Sequence, residues 1–444
     1  MITVSKLPII GSMHDRQKFQ ETLLPNGITL YTYQTPSPVT CFELLVPVGA
    51  GHAYAENGLL PGSPHFLEHL QLIRSRHYPD AYALDRAIGL LGGHSNGVTY
   101  PTTTHYELDV PSAELEWASE ALVDRVFSPQ FTESEVSNER SVIHNEREQR
   151  KFYPGRSRVG QYYHTQFLND VEYSLEQLFG TDADLKATTV SVLEEMHQRI
   201  TSSPLTKVVA VGPSNFQLLA DQLAKIPTTP HTFSTNIAEA RWANRSFRRE
   251  YFDTVTQPTL EVAWIHPRLP FAEYRAASFI ISLLVNSTHG ILYRELREEK
   301  GWTYGIDGYC TQRERNTLFN FSFPLNTPEQ AEYVHSVLQE RIQTAITNQD
   351  LVEDEIRRCR GSQVYHYQTP SDITDGASFD LTTYGHIHSE ADWLMATEAL
   401  RDPAFRSEIA NRYFQVSDAG AMLFMPERRQ LVPRRLAEAA TKAA

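Results

Sequence analysis

Near the midpoint of the 444-residue chain, Ile226 to Asn236 (IPTTPHTFSTN) holds two prolines and five serines or threonines. Such a run does not continue a helix or a strand and reads as a linker. It divides a chain too long for one ordinary core into two parts of domain size. The division runs 1–226, linker 227–246, then 247–444. Both parts repeat one style. In the first, residues 28–33 alternate, Cys41 to Val48 is an apolar run, and His105 to Val110 alternates again. Helical patterns begin near His65 and cover about 81–91, 112–126 and 132–151, and Val208 to Val211 reads as a buried strand. In the second, strands are expected at 260–265, 302–310, 317–323 and 421–425. Helices are expected at 271–285, 290–300, 327–347 and 350–367. The fold class is therefore α+β: two similar tandem domains, each a mostly antiparallel sheet with long helices packed on it.

Composition removes several function classes. The net charge of −14 argues against a nucleic-acid partner, which would need a basic face. No run approaches the ~18 apolar residues of a membrane helix, so no membrane partner is expected. Met1 to Gln17 lacks the apolar core of a secretory signal. Cys41, Cys310 and Cys359 are far apart and form no C-x-x-C pair, so neither a disulfide framework nor a thiolate metal site is indicated. Reduced thiols and a cytoplasmic location are the expectation.

The chemistry concentrates in His65-Phe66-Leu67-Glu68-His69. Histidines four apart share one helix face, and both imidazoles can reach one ion. Glu68 lies beside that face, where a carboxylate can take a proton from a water on the metal. The five residues alone also fit a solvated face carrying two histidines. A third ligand is available further on. Thr132-Glu133-Ser134-Glu135 is a capping-box pattern, and Glu139, Val142, Ile143 and Glu146 follow as one stripe of the helix behind it. Inward carboxylates are costly unless paired or bound to metal. A partly exposed stripe of solvated glutamates remains open on these residues alone.

Three segments together resemble the pitrilysin/insulinase family of zinc peptidases: Gly62 to His69 (GSPHFLEH), Gly92 to Thr99 (GGHSNGVT) and Glu139 to Glu146 (ERSVIHNE). The 76 residues between His69 and Glu146 match that family's spacing to its third ligand. The resemblance implies one Zn2+ per chain on His65, His69 and Glu146, with Glu68 as general base. It also implies that Glu139 is an auxiliary glutamate, orienting a histidine or assisting proton transfer. It implies that Asn96, Gly97, Val98 and Thr99 receive substrate as an added strand. In the second half, Leu292 to Tyr304 is similar to the family's C-terminal signature, so Arg297 and Tyr304 are expected to hold the substrate carbonyl. On spacing alone, Arg297 could equally pair with a neighbouring glutamate and Tyr304 pack in a sheet. Two departures stand out: Gly97 where alanine is usual, and Pro64 directly before His65. Neither removes a ligand or the base.

The resemblance implies a zinc endopeptidase acting on unstructured peptides or leader-like segments in a closed chamber. Carrying both the metal motif and the arginine–tyrosine pair favours a homodimer. A heterodimer with a related chain, and a catalytically silent peptide-binding relative, are the competing readings.

Overall fold

The computed structural model describes residues 19–80, 82–152, 175–231, 233–234, 247–253, 255–286, 289–312, 316–365 and 368–427. Most of the expected linker, 227–246, lies outside the described residues.

Two sheets carry the architecture. The first contains β1 (Gln20–Leu23), β2 (Thr29–Gln34), β3 (Val39–Val46), β4 (His94–Thr99), β5 (Thr104–Pro111) and β6 (Lys207–Gly212). Their order is β1-β2-β6-β3-β5-β4, which leaves β4 at one edge. The second contains β7 (Arg248–Phe252), β8 (Thr259–Pro267), β9 (Asp307–Gln312), β10 (Asn316–Pro324) and β11 (Gly420–Pro426), in the order β7-β11-β8-β10-β9. The α+β class holds, and both sheets are mostly antiparallel. Each also contains one parallel pair, β2 with β6 and β7 with β11. In each, the later strand returns after a long helical excursion, as a parallel partner requires.

The helices α1 (Ser63–Gln71), α2 (Ala83–Leu90), α3 (Leu115–Phe127) and α4 (Glu133–Phe152) follow the expected segments of the first half. An apolar core joins helices to sheet through Phe42, Leu44, Phe66, Leu70, Ile143 and Val208, all buried. The second core is built likewise from Trp264, Phe319, Phe321, Leu338 and Ile342. The segment 290–300 departs from a uniform helix. After one turn at Ile291–Tyr293 it widens into a π-helical turn, Arg294–Glu299. Such turns are rare and concentrate at functional sites.

One element crosses between the halves. The helix Pro370–Thr383 belongs to the second half of the chain but packs on β3 and β6 of the first sheet. Ile373, Ala377 and Leu381 are buried there against Tyr31, Leu45, Val209 and Val211. The Lys207 ammonium adds hydrogen bonds to the carbonyls of Leu381 (3.4 Å) and Gly385 (3.3 Å). The back of the first sheet is thus covered by the second half.

The second core also holds a charge. Glu355 is fully buried beside His289, whose Nε2 lies 2.8 Å from Oε2, and the Arg358 guanidinium, at 2.6–2.7 Å. Burial pushes its pKa up. Hydrogen bonds from Arg358, His289 and Ser282 pull harder, and it falls from 4.5 to about 2. A depressed carboxylate stabilises the fold above its unfolded pKa, and that contribution is lost as pH falls from 4.5 through 2. Glu355→Gln is expected to lower stability by on the order of 3 kcal/mol at neutral pH. It should also flatten the stability loss below pH 4.5, read by urea titration across pH.

Candidate active site

Gly62 starts the site. It precedes α1 with φ +78, and a Cβ there would lie 2.4 Å from the Phe179 carbonyl carbon. Only glycine meets both conditions. Pro64 follows in the first turn, where its missing N–H is no loss. The departure at Pro64 is thus compatible with the helix it opens. α1 is buried along nearly its whole length, between β4, α4 and the short helix Leu175–Phe179. Phe179 packs edge-on against the His65 ring at 5.0 Å.

On α4 the inward seam runs through Val136, Glu139, Ile143 and Glu146. The expected stripe included Val142, but its side chain is 47% exposed. At about 100° per residue, Val142 falls to the outer margin of a seam centred between Glu139 and Ile143. The capping pattern at Thr132 is present: its hydroxyl accepts from the Glu135 amide (3.3 Å) and donates to the Glu135 carboxylate (2.7 Å).

The two helices bring His65, His69 and Glu146 together, with one ligand atom of each within 4.8 Å of the others. Glu146 Oε2 lies 3.8 Å from His65 Nε2 and 3.6 Å from His69 Nε2. These gaps are too long for hydrogen bonds. They are close to the ~3.4 Å that separates two donors held tetrahedrally at about 2.0–2.1 Å from one ion. Glu139 Oε2 lies 3.1 Å from His69 Nδ1, which turns the other ring nitrogen toward Glu146. Two imidazoles and a carboxylate are a zinc donor set, and this one leaves a coordination position for water or substrate.

Protonation fits the same use. Burial holds the His65 pKa down at about 3, so it presents a neutral nitrogen. Burial also lowers His69, but the hydrogen bond with Glu139 and the nearby Glu146 and Glu68 carboxylates outweigh it and raise the pKa to about 9. A metal must therefore displace a proton from His69. The nearby His69 in turn draws Glu146 down to about 2 against its partial burial. Burial lifts Glu68 to about 7, against the opposing pull of His69 and Thr99. That value suits a group that must both take and give a proton near neutrality.

The remaining expected residues divide into two groups. Asn96, Gly97, Val98 and Thr99 lie on β4, whose register pairs Asn96 with Glu107 and Thr99 with Thr104. Among the described residues no strand covers the outer edge of β4. Thr99 Oγ1 donates to Glu68 Oε2 at 2.9 Å, so this side chain faces the α1 carboxylate. Arg297 and Tyr304 meet each other, the guanidinium carbon lying 4.6 Å from the Tyr304 ring centre. Arg297 also donates to the Tyr293 hydroxyl, four residues earlier on the same helical segment. Tyr304 is 87% exposed, so it is not packed in a sheet. Among the described residues no hydrogen bond or ion pair joins Arg297 or Tyr304 to His65, His69 or Glu146.

Comparison with known proteins bears on the family and the fold. The family description "Insulinase (Peptidase family M16)" matches residues 31–178, and "Peptidase M16 inactive domain" matches 188–360. Protease 3 of Escherichia coli K12 is 29% identical over 133 residues, covering 30% of this chain and 14% of that protein. The insulin-degrading enzyme homolog of Dictyostelium discoideum is 26% identical over 227 residues, covering 50% of this chain and 22% of that protein. The chain thus matches well under half the length of either relative. Among solved structures, a protease from Helicobacter pylori superimposes with a TM-score of 0.77 at 19% identity, covering 92% of this chain and 99% of that one. A peptidase M16 inactive domain from Pseudomonas fluorescens gives 0.75 at 17% identity, covering 93% and 98%. The fold is that of the two-domain M16-like peptidases. The chain belongs to the insulinase family, peptidase family M16.

The contact between Glu139 and His69 yields a direct test. Glu139→Gln is expected to weaken zinc binding about 10- to 100-fold, measured by competition with a chromophoric chelator. Unchanged affinity would remove Glu139 from the metal centre.

Proposed function

We propose that this chain is a zinc-dependent endopeptidase that hydrolyses unstructured peptides or leader-like segments. The observation that carries the reading is the convergence of His65, His69 and Glu146 beside the buried Glu68 carboxylate. Bound by those three donors, zinc would polarise the scissile carbonyl and make water a better nucleophile. Glu68 takes the proton as the water oxygen attacks the carbonyl carbon, and passes it to the amine nitrogen as the C–N bond breaks. Glu139 keeps His69 in the tautomer and orientation that present its other nitrogen. The peptide adds along the outer edge of β4, where backbone pairing holds it with little demand on its side chains. Arg297 and Tyr304 offer guanidinium and phenol donors to the carbonyl oxygen.

The last pair must come from somewhere, and the seam on the first sheet bears on where. The buried apolar contact of the helix Pro370–Thr383 resists hinging of one half of a chain over the other. We therefore favour a homodimer in which each copy brings its Arg297–Tyr304 pair to the other's metal centre. A heterodimer with a related chain satisfies the same need. The three cysteines are free thiols, which suits a reducing, cytoplasmic setting.

Glu68→Gln tests the reading. The wild-type chain with zinc is expected to cleave an unstructured peptide, and the variant to bind zinc equally while losing about 100-fold or more in kcat. Equal inertness of both, with every peptide and related chain supplied, would favour the silent peptide-binding relative. Sizing by light scattering is expected to give a dimer of the lone chain. An active monomer would overturn the shared-site arrangement.

A further inference from the structure

We propose that Thr99 is a positioning residue that holds the Glu68 carboxylate in its working orientation, so that β4 sets the base as well as receiving the peptide. This rests on the metallopeptidase reading above.

A carboxylate on a flexible two-carbon stem must be fixed before it can take a proton along one line. Glu68 is 4% exposed, and it is fixed from the strand side. The Thr99 hydroxyl donates to Oε2 at 2.9 Å. The other oxygen lies against Gly97. A Cβ on Gly97 would sit 2.5 Å from Oε1 and 3.0 Å from the carboxyl carbon. All three near neighbours of that Cβ are Glu68 side-chain atoms, so the movable carboxylate is what an added methyl would push aside. Residues two apart on a strand face the same side, so positions 97 and 99 face Glu68 together while Asn96 and Val98 take the other face. One oxygen is thus tied by position 99 and the other walled by position 97. The strand that carries both also offers its outer edge to the peptide. A shift of β4 on peptide pairing is therefore felt directly by the base.

A buried threonine hydroxyl that merely satisfies a carboxylate would affect folding or metal loading instead. The test uses the full-length, zinc-loaded chain and a fluorescence-quenched unstructured peptide, with zinc content and Tm measured on every variant. Thr99→Val keeps the shape and removes the hydroxyl. It is expected to lower kcat about tenfold, equivalent to about 1.4 kcal/mol, with KM, zinc content and Tm near wild type. Thr99→Ser restores the donor and is expected to recover most of kcat. Three results would overturn the proposal: wild-type kcat in Thr99→Val, a kcat loss that appears only together with lost zinc or Tm, or an unmoved Glu68 carboxylate in crystals of Thr99→Val. A zinc-loaded wild-type chain that cleaves nothing sinks the metallopeptidase reading and this inference with it. An active wild type with indifferent variants sinks the inference alone.

Discussion

The site depends on the packing of α1 against α4. Each helix by itself carries polar groups that an interior does not tolerate: two imidazoles and a carboxylate on one, two carboxylates on the other. Packed together, the apolar residues Phe66, Leu70, Val136 and Ile143 contribute to the core, and the polar ones are forced to meet. Glu139 then pairs with His69, and Glu146 faces both histidines. The apolar part of the contact fixes the spacing, and the spacing makes the donors chemically useful. Phe179 closes the side of His65, which keeps that imidazole buried and neutral.

Much of this was legible in the residues themselves. Periodicity located β2, β3, β5, β6 and the four helices of the first half, because each buries one clear face. The H-x-x-E-H order and the downstream glutamates pointed to the metal centre, and the three donors do converge. What stayed hidden is non-local. Nothing in the alternation of β2 or β6 says that they run parallel. The short edge strands β1 and β7 carry too few buried residues to register as patterns. Val142 looked like a core position because it is apolar, and the phase of α4 sets it at the margin. The helix Pro370–Thr383 had a readable start, since Thr369 and Asp372 form a capping box. Its partner, a sheet more than 150 residues earlier in the chain, could not be read from any local signal.

Two kinds of order therefore meet in this chain. Within the first half, strand and helix contacts assemble the metal donors and the base. The arginine–tyrosine pair is assembled separately, on a π-helical turn of the second half, with Tyr304 left largely open to solvent. An exposed phenol beside a guanidinium is poorly explained by the packing of its own chain. It is well suited to a contact made when another surface arrives.

The helix that backs the first sheet has a consequence for how this molecule can be taken apart. Tyr31, Leu45, Val209 and Val211 form a greasy plane that, among the described residues, is covered by Ile373, Ala377 and Leu381 of the second half. A fragment ending at the linker would expose that plane, and a bare apolar sheet face invites aggregation. The first half is therefore not expected to behave as an autonomous module that can be excised, swapped or expressed alone. Added back as a separate piece, the second half would act toward it as an obligate chaperone-like lid. Any lineage that split or fused such halves would have had to carry this one helix across the cut.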